Sequence, residues 1–117
     1  MLKIRKEKEH QYIVSVFQVT RINRLFTELM ERELRDILSN EGTEVFFNLE
    51  DITFIDSEGF KVLSEANDYA TSCHSNLFLC NIGEELDELF KLLAMKDKFS
   101  ICEKEIEKEK ILVEVEA

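Results

Sequence analysis

The run Asn48-Leu49-Glu50-Asp51-Ile52-Thr53-Phe54-Ile55-Asp56-Ser57-Glu58-Gly59-Phe60 contains the change of period that decides the fold. Before it, Val45, Phe46, Phe47 and Leu49 crowd together as in a buried strand, and Ile52-Thr53-Phe54-Ile55 makes a second, shorter apolar stretch. After it, Phe60, Val62, Leu63, Ala66, Tyr69 and Ala70 recur at helical spacing. Asp56 and Ser57 fall at the junction. This reading puts Ser57 at the N-cap, with Asp56 an equally capable capping residue. Gly59 then sits in the first helical turn, where glycine costs roughly 1 kcal/mol against alanine. A glycine so placed marks close approach by another backbone or by a ligand.

The alternation of strand and helix continues on both sides. Toward the N-terminus, Leu2 and Ile4 alternate with Lys3 and Arg5, and Ile13, Val14, Val16 and Phe17 make a strand over 12–18. The charged turn Lys6-Glu7-Lys8-Glu9 joins the two as a hairpin. From Ile22 the period is helical: Ile22, Leu25, Phe26, Leu29, Met30, Leu34, Ile37 and Leu38 share one broad face, and Gly42 is placed to end the helix. Toward the C-terminus, 77–80 reads as a strand and a helix follows from about Glu84, with Leu86, Leu89, Phe90 and Leu93 on one side. A short strand over 99–102 closes the pattern. The expectation is an α/β domain: a small mixed sheet of about four to six strands with helices packed on it. Residues 103–110 alternate in charge and suit an exposed helix, whereas 111–116 suit an edge strand or a tail.

A chain of 117 residues fits a single domain spanning 1–117. Its 15 Lys and Arg against 25 Asp and Glu leave a net charge of −10, which argues against direct nucleic-acid binding, an interaction built on neutralised phosphates. No apolar run approaches the ~20 residues that cross a bilayer. The N-terminal Met1-Leu-Lys-Ile-Arg-Lys-Glu lacks the apolar core of an export signal, so the expected location is the cytoplasm. Cys73, Cys80 and Cys102 are odd in number and read as reduced thiols. The spacing of Cys73-His74 and Cys80 is not that of a zinc site, and no Walker or dinucleotide glycine pattern occurs. No metal and no cofactor are expected.

The serine at the strand-to-helix junction is the candidate site. Unpaired N–H groups and the helix dipole make a helix start favourable for a phosphate. A phosphoserine adds about −1.5 to −2 charges at pH 7. Asp56 and Glu58 flank it, so the new charge falls in an already negative patch; the helix start tolerates the phosphate, while an acidic or apolar partner surface rejects it. Two catalytic readings are weaker. A hydrolase elbow needs Gly-x-Ser-x-Gly, but Ile55 occupies the first glycine position and neither His10 nor His74 has a motif around it. Phosphorylation of Asp56 would need Mg²⁺ held by further carboxylates, and the strand over 12–18 ends in no acidic pair.

The quoted run resembles the core motif of STAS domains, in particular bacterial anti-sigma-factor antagonists, where a buried strand leads into an Asp-Ser-x-Gly turn. Leu89-Phe90-Lys91-Leu92-Leu93-Ala94-Met95-Lys96-Asp97-Lys98-Phe99 is similar to the family's later helix and following strand. The chain departs from the pattern at Glu58, where many members carry a small residue, and at Gln18-Val19-Thr20-Arg21, where many have a Gly-x-x-Asp turn. The resemblance implies a partner switch: the unphosphorylated protein binds an anti-sigma factor that is also a serine kinase. Phosphorylation of Ser57 ends the contact, and a serine phosphatase restores it. It implies partner-binding roles for Asp56, Glu58, Gly59 and Phe60, and no enzymatic activity. The alternative is a non-switching STAS scaffold in which Ser57 is only a helix cap.

Overall fold

The computed structural model describes residues 2–102. The expectations for 103–117 lie outside the described residues. In chain order the elements are β1 (Leu2–Lys8), β2 (Gln11–Val16), β3 (Arg21–Ile22), α1 (Arg24–Leu38), β4 (Glu44–Asn48), β5 (Phe54–Ile55), α2 (Ser57–Ser72), β6 (Asn76–Cys80), α3 (Glu84–Leu92) and β7 (Ser100–Cys102), with a 3-10 turn at Lys96–Lys98 before β7. Five strands form one sheet in the order β1-β2-β4-β6-β7, and β3 pairs with β5 in a separate two-stranded ladder. Among the described residues the β1–β2 hairpin is antiparallel and every other strand pair is parallel. The expected mixed α/β sheet is what the chain forms.

Alternate residues on each strand face the helices. Val14 and Val16, Val45 and Phe47, and Leu77 and Leu79 meet Met30, Leu34 and Leu38 of α1, Val62, Leu63 and Ala66 of α2, and Leu86 and Phe90 of α3 in one buried cluster. Burial of these aliphatic and aromatic side chains is the main driving force for the fold, at roughly 1.5–3 kcal/mol per fully buried large side chain. On the opposite face Phe46 stacks on its register neighbour Phe78, with ring centroids 5.1 Å apart.

Four boundaries differ from the sequence reading. The charged stretch expected as the hairpin turn belongs to β1 through Lys8, and the turn falls at Glu9 and His10. The strand expected over 12–18 stops at Val16, and Gln18 adopts a left-handed φ of 63° that breaks the extended run. Ile22 belongs to β3, not to the helix. The Asn23 side chain accepts the Leu25 N–H and starts α1 one residue later, which leaves Leu25 93% exposed. Gly42 does not end α1. The helix stops at Leu38, with the Ser39 N–H on the Arg35 carbonyl, and Gly42 turns the loop beyond at φ +78°.

Candidate functional site: the N-terminus of helix α2

The β3–β5 ladder holds the start of α2. Arg21 and Ile22 lie in register with Phe54 and Ile55, so the first turn of α1 and the first turn of α2 leave the same edge side by side. The Thr53 N–H donates to the Thr20 carbonyl at 2.8 Å and the Asp56 N–H to the Ile22 carbonyl at 3.1 Å. The Arg21 guanidinium lies over the Phe54 ring, 4.5 Å from its centroid, and covers the outer side of the ladder.

The helix cap is Asp56, not Ser57. The Asp56 backbone is extended, and its carboxylate accepts the Gly59 N–H at 2.8 Å. Asp56 prevails because a charged carboxylate satisfies an orphan N–H and meets the positive end of the helix dipole at once. Ser57 becomes the first helical residue. It is exposed, and no hydrogen bond among the described residues occupies its hydroxyl. Glu58 beside it is exposed too.

Gly59 and Phe60 face inward. A Cβ on Gly59 would stand 2.7 Å from Ile55 Cγ2, 3.0 Å from Ile22 Cγ2 and 3.2 Å from the Ile22 carbonyl oxygen. The close approach read from the sequence is therefore made by β3 and β5, under the helix. Phe60 is 4% exposed and packs edge-on against Phe90 at 5.1 Å; Phe90 meets Phe99 in the same way at 5.7 Å. Only a rim of Phe60 reaches the surface, as the floor of an open groove of about 370 Å³ lined also by Ser57, Lys61, Ser64, Leu93 and Met95.

Lys61, Leu93 and Met95 are additions to the sequence reading. Lys61 stands four residues after Ser57, one helical turn on, where a cation meets an anion at the earlier position; that spacing was visible in the sequence. Leu93 and Met95 come from the turn that follows α3, and only the tertiary fold brings them to Ser57. Asp87 fixes this end of α3, bonding Lys96 at 2.9 Å and Lys91 at 3.0 Å. Those two ammonium groups, Lys96 foremost, hold the Asp87 carboxyl below its ordinary range.

The histidines lie at the far end of the sheet. His10 precedes β2, and His74 follows α2, whose 16 residues put roughly 24 Å between its ends. A Ser57–histidine pair is out of hydrogen-bond reach. The Asp56 carboxylate is already committed to the cap. No group of three or more metal-ligating side chains occurs among the described residues, and no helix among them is long and apolar enough to cross a membrane.

Comparisons with known proteins match this architecture. The anti-sigma-factor antagonist SpoIIAA in its unphosphorylated form superposes with a TM-score of 0.70 at 11% identity, covering 99% of this chain and 96% of that one. The phosphorylated form of SpoIIAA, a Bacillus cell fate determinant, gives 0.66 at 11% identity over 98% and 99% of the two chains. An anti-sigma-factor antagonist (STAS) domain protein from Planctomyces limnophilus gives 0.74 at 13% identity over 96% and 95%. No curated protein matches the chain in sequence. The family model of the STAS domain matches residues 12–108, which include the β3–β5 ladder and the Asp56-Ser57 turn but not β1. The chain belongs to the STAS domain family.

Proposed function

We propose that this chain is a cytoplasmic partner switch of the anti-sigma-factor antagonist kind, with Ser57 as its phosphoacceptor. The observation that carries the reading is the free, exposed Ser57 hydroxyl at the first position of α2, next to a cap that does not use it. The solved SpoIIAA structures, one unphosphorylated and one phosphorylated, support it by likeness of fold. Unmodified, the Ser57 face binds an anti-sigma factor serine kinase: Asp56 and Glu58 flank the contact, Gly59 lets the helix sit low on β3 and β5, and Phe60 floors the groove. Phosphate on Ser57 gains the helix N–H groups and Lys61 within the chain, and turns a negative charge toward the partner. A serine phosphatase reverses the step. Ser57 acts as substrate, not as catalyst.

The test is intact-mass spectrometry of the protein from its native host in growing and stressed cells, with fragmentation. A phosphate localised to Ser57, absent in Ser57→Ala, is expected. Phosphate at another residue, or none in either condition, overturns the switch. Ser57→Ala should also leave stability within about 0.5 kcal/mol by denaturant titration, since its hydroxyl caps nothing. That second measurement separates this reading from a scaffold held together by a Ser57 cap, which predicts a loss of about 1 kcal/mol.

A further inference from the structure

Two of the three cysteines meet at the end of the sheet away from the hairpin. Cys80 closes β6, Cys102 closes β7, and the parallel register sets them opposite each other. Register neighbours on adjacent strands point to the same face, with Cα atoms about 4.8 Å apart, inside the 4.4–6.8 Å span of disulfides. Cys80 is fully buried and Cys102 half-buried, and neither is in a disulfide. Cys73 stands apart at the end of α2, its sulfur 3.9 Å from the Ser72 hydroxyl.

We propose that Cys80 and Cys102 are an oxidisable dithiol, a modification site at which a hydroperoxide closes an intramolecular disulfide between β6 and β7. Burial and the neighbouring thiol push the Cys80 thiol up, so the more accessible Cys102 reacts first. Its thiolate attacks one peroxide oxygen and the O–O bond breaks. With hydrogen peroxide the departing hydroxide takes up the thiol proton as water, and Cys102 becomes a sulfenic acid. The Cys80 sulfur then attacks the Cys102 sulfur; the S–O bond breaks, and the leaving hydroxide takes the Cys80 proton as a second water. In sum two thiols lose two protons and two electrons, and one hydrogen peroxide becomes two waters. The ladder holds the sulfurs together, so the second step proceeds without a search.

The bridge has a reach beyond the two strands. Phe99 immediately precedes β7 and packs on Phe90, which packs on the groove-floor residue Phe60. Tying β7 to β6 therefore braces the aromatic column under Ser57. The proposal does not depend on phosphorylation of Ser57.

The test uses the full chain, reduced and then treated with stoichiometric hydrogen peroxide. Intact mass should fall by two hydrogen atoms, non-reducing peptide mapping should show a Cys80–Cys102 link, and dithiothreitol should restore the original mass. The oxidised protein should melt several degrees higher, as a disulfide restricts the unfolded chain. Cys73→Ser should behave as wild type. Cys102→Ser, a change at a half-buried position, should give no internal link. Links through Cys73, a Cys102 sulfinic acid beside an intact Cys80 thiol, or an unreacted pair each overturn the proposal.

Discussion

Helices α2 and α3 both start at the carboxyl edge of the sheet, and each begins with N–H groups that its own turns leave unpaired. They meet that demand with different means. At α3 the capping position is Gly83, which offers no side chain, and Glu84, Glu85 and Asp87 crowd the first turn with negative charge. At α2 the Asp56 carboxylate makes a bond to the Gly59 N–H, and Glu58 is the one acidic residue in the first turn. The first arrangement answers the helix dipole with fixed carboxylates and repels any further anion. The second meets the dipole with the Asp56 carboxylate bonded to one N–H and with Glu58, and presents a hydroxyl, that of Ser57, at the first helical position. The two helix starts thus differ in how their negative charge is supplied, and the proposed modification at Ser57 uses that difference.

Substitutions at both helix starts can break this comparison. The largest effect belongs to Gly59→Ala. Its new methyl would press on the β-branched methyls of Ile55 and Ile22, which have little rotamer freedom to yield. Overpacking of this kind costs about 1–3 kcal/mol, offset in part by the roughly 1 kcal/mol helix preference of alanine. The denaturant midpoint should fall, and an unchanged midpoint would show that the β3–β5 ladder shifts to make room. Asp56→Ala comes next, with an expected loss of about 1 kcal/mol from the missing cap, largely recovered in Asp56→Asn. If the asparagine variant is as unstable as the alanine one, charge and not the hydrogen bond is what Asp56 supplies. The smallest effect is at α3, where Gly83 has open space around it. Gly83→Asn should raise stability by a few tenths of a kcal/mol through a new cap, seen as a small upward shift in Tm. A loss there would mean that the Gly83 backbone is itself required.

The secondary structure was largely legible because each element buries a continuous apolar pattern. Val45 and Phe47 of β4, the face of α2 from Phe60 to Ala70, and Leu77 and Leu79 of β6 stand where their spacing puts them. Errors came where a pattern crossed an element boundary. Ile22 and Leu25 are three apart, yet Ile22 is in a strand, so their spacing carried no helical meaning and Leu25 faces solvent. The cap was ambiguous for a similar reason: Asp56 and Ser57 are adjacent good caps, and the ladder that fixes Asp56 in extended backbone is a long-range pairing with Ile22. The serine itself was visible. Its groove was not, because Leu93 and Met95 arrive from the turn after α3, and no local pattern encodes that meeting.

The division of labour at the α2 start also bears on descent. Folding relies on Asp56 for the cap and on Gly59 for the close fit to β3 and β5, while the side chain at position 57 enters neither contact. Serine can be replaced there, or arise there, at little cost to the fold. Under the proposed switch, the phosphoacceptor can then be gained or lost at that one position without disturbing the cap or the close fit that hold the helix start.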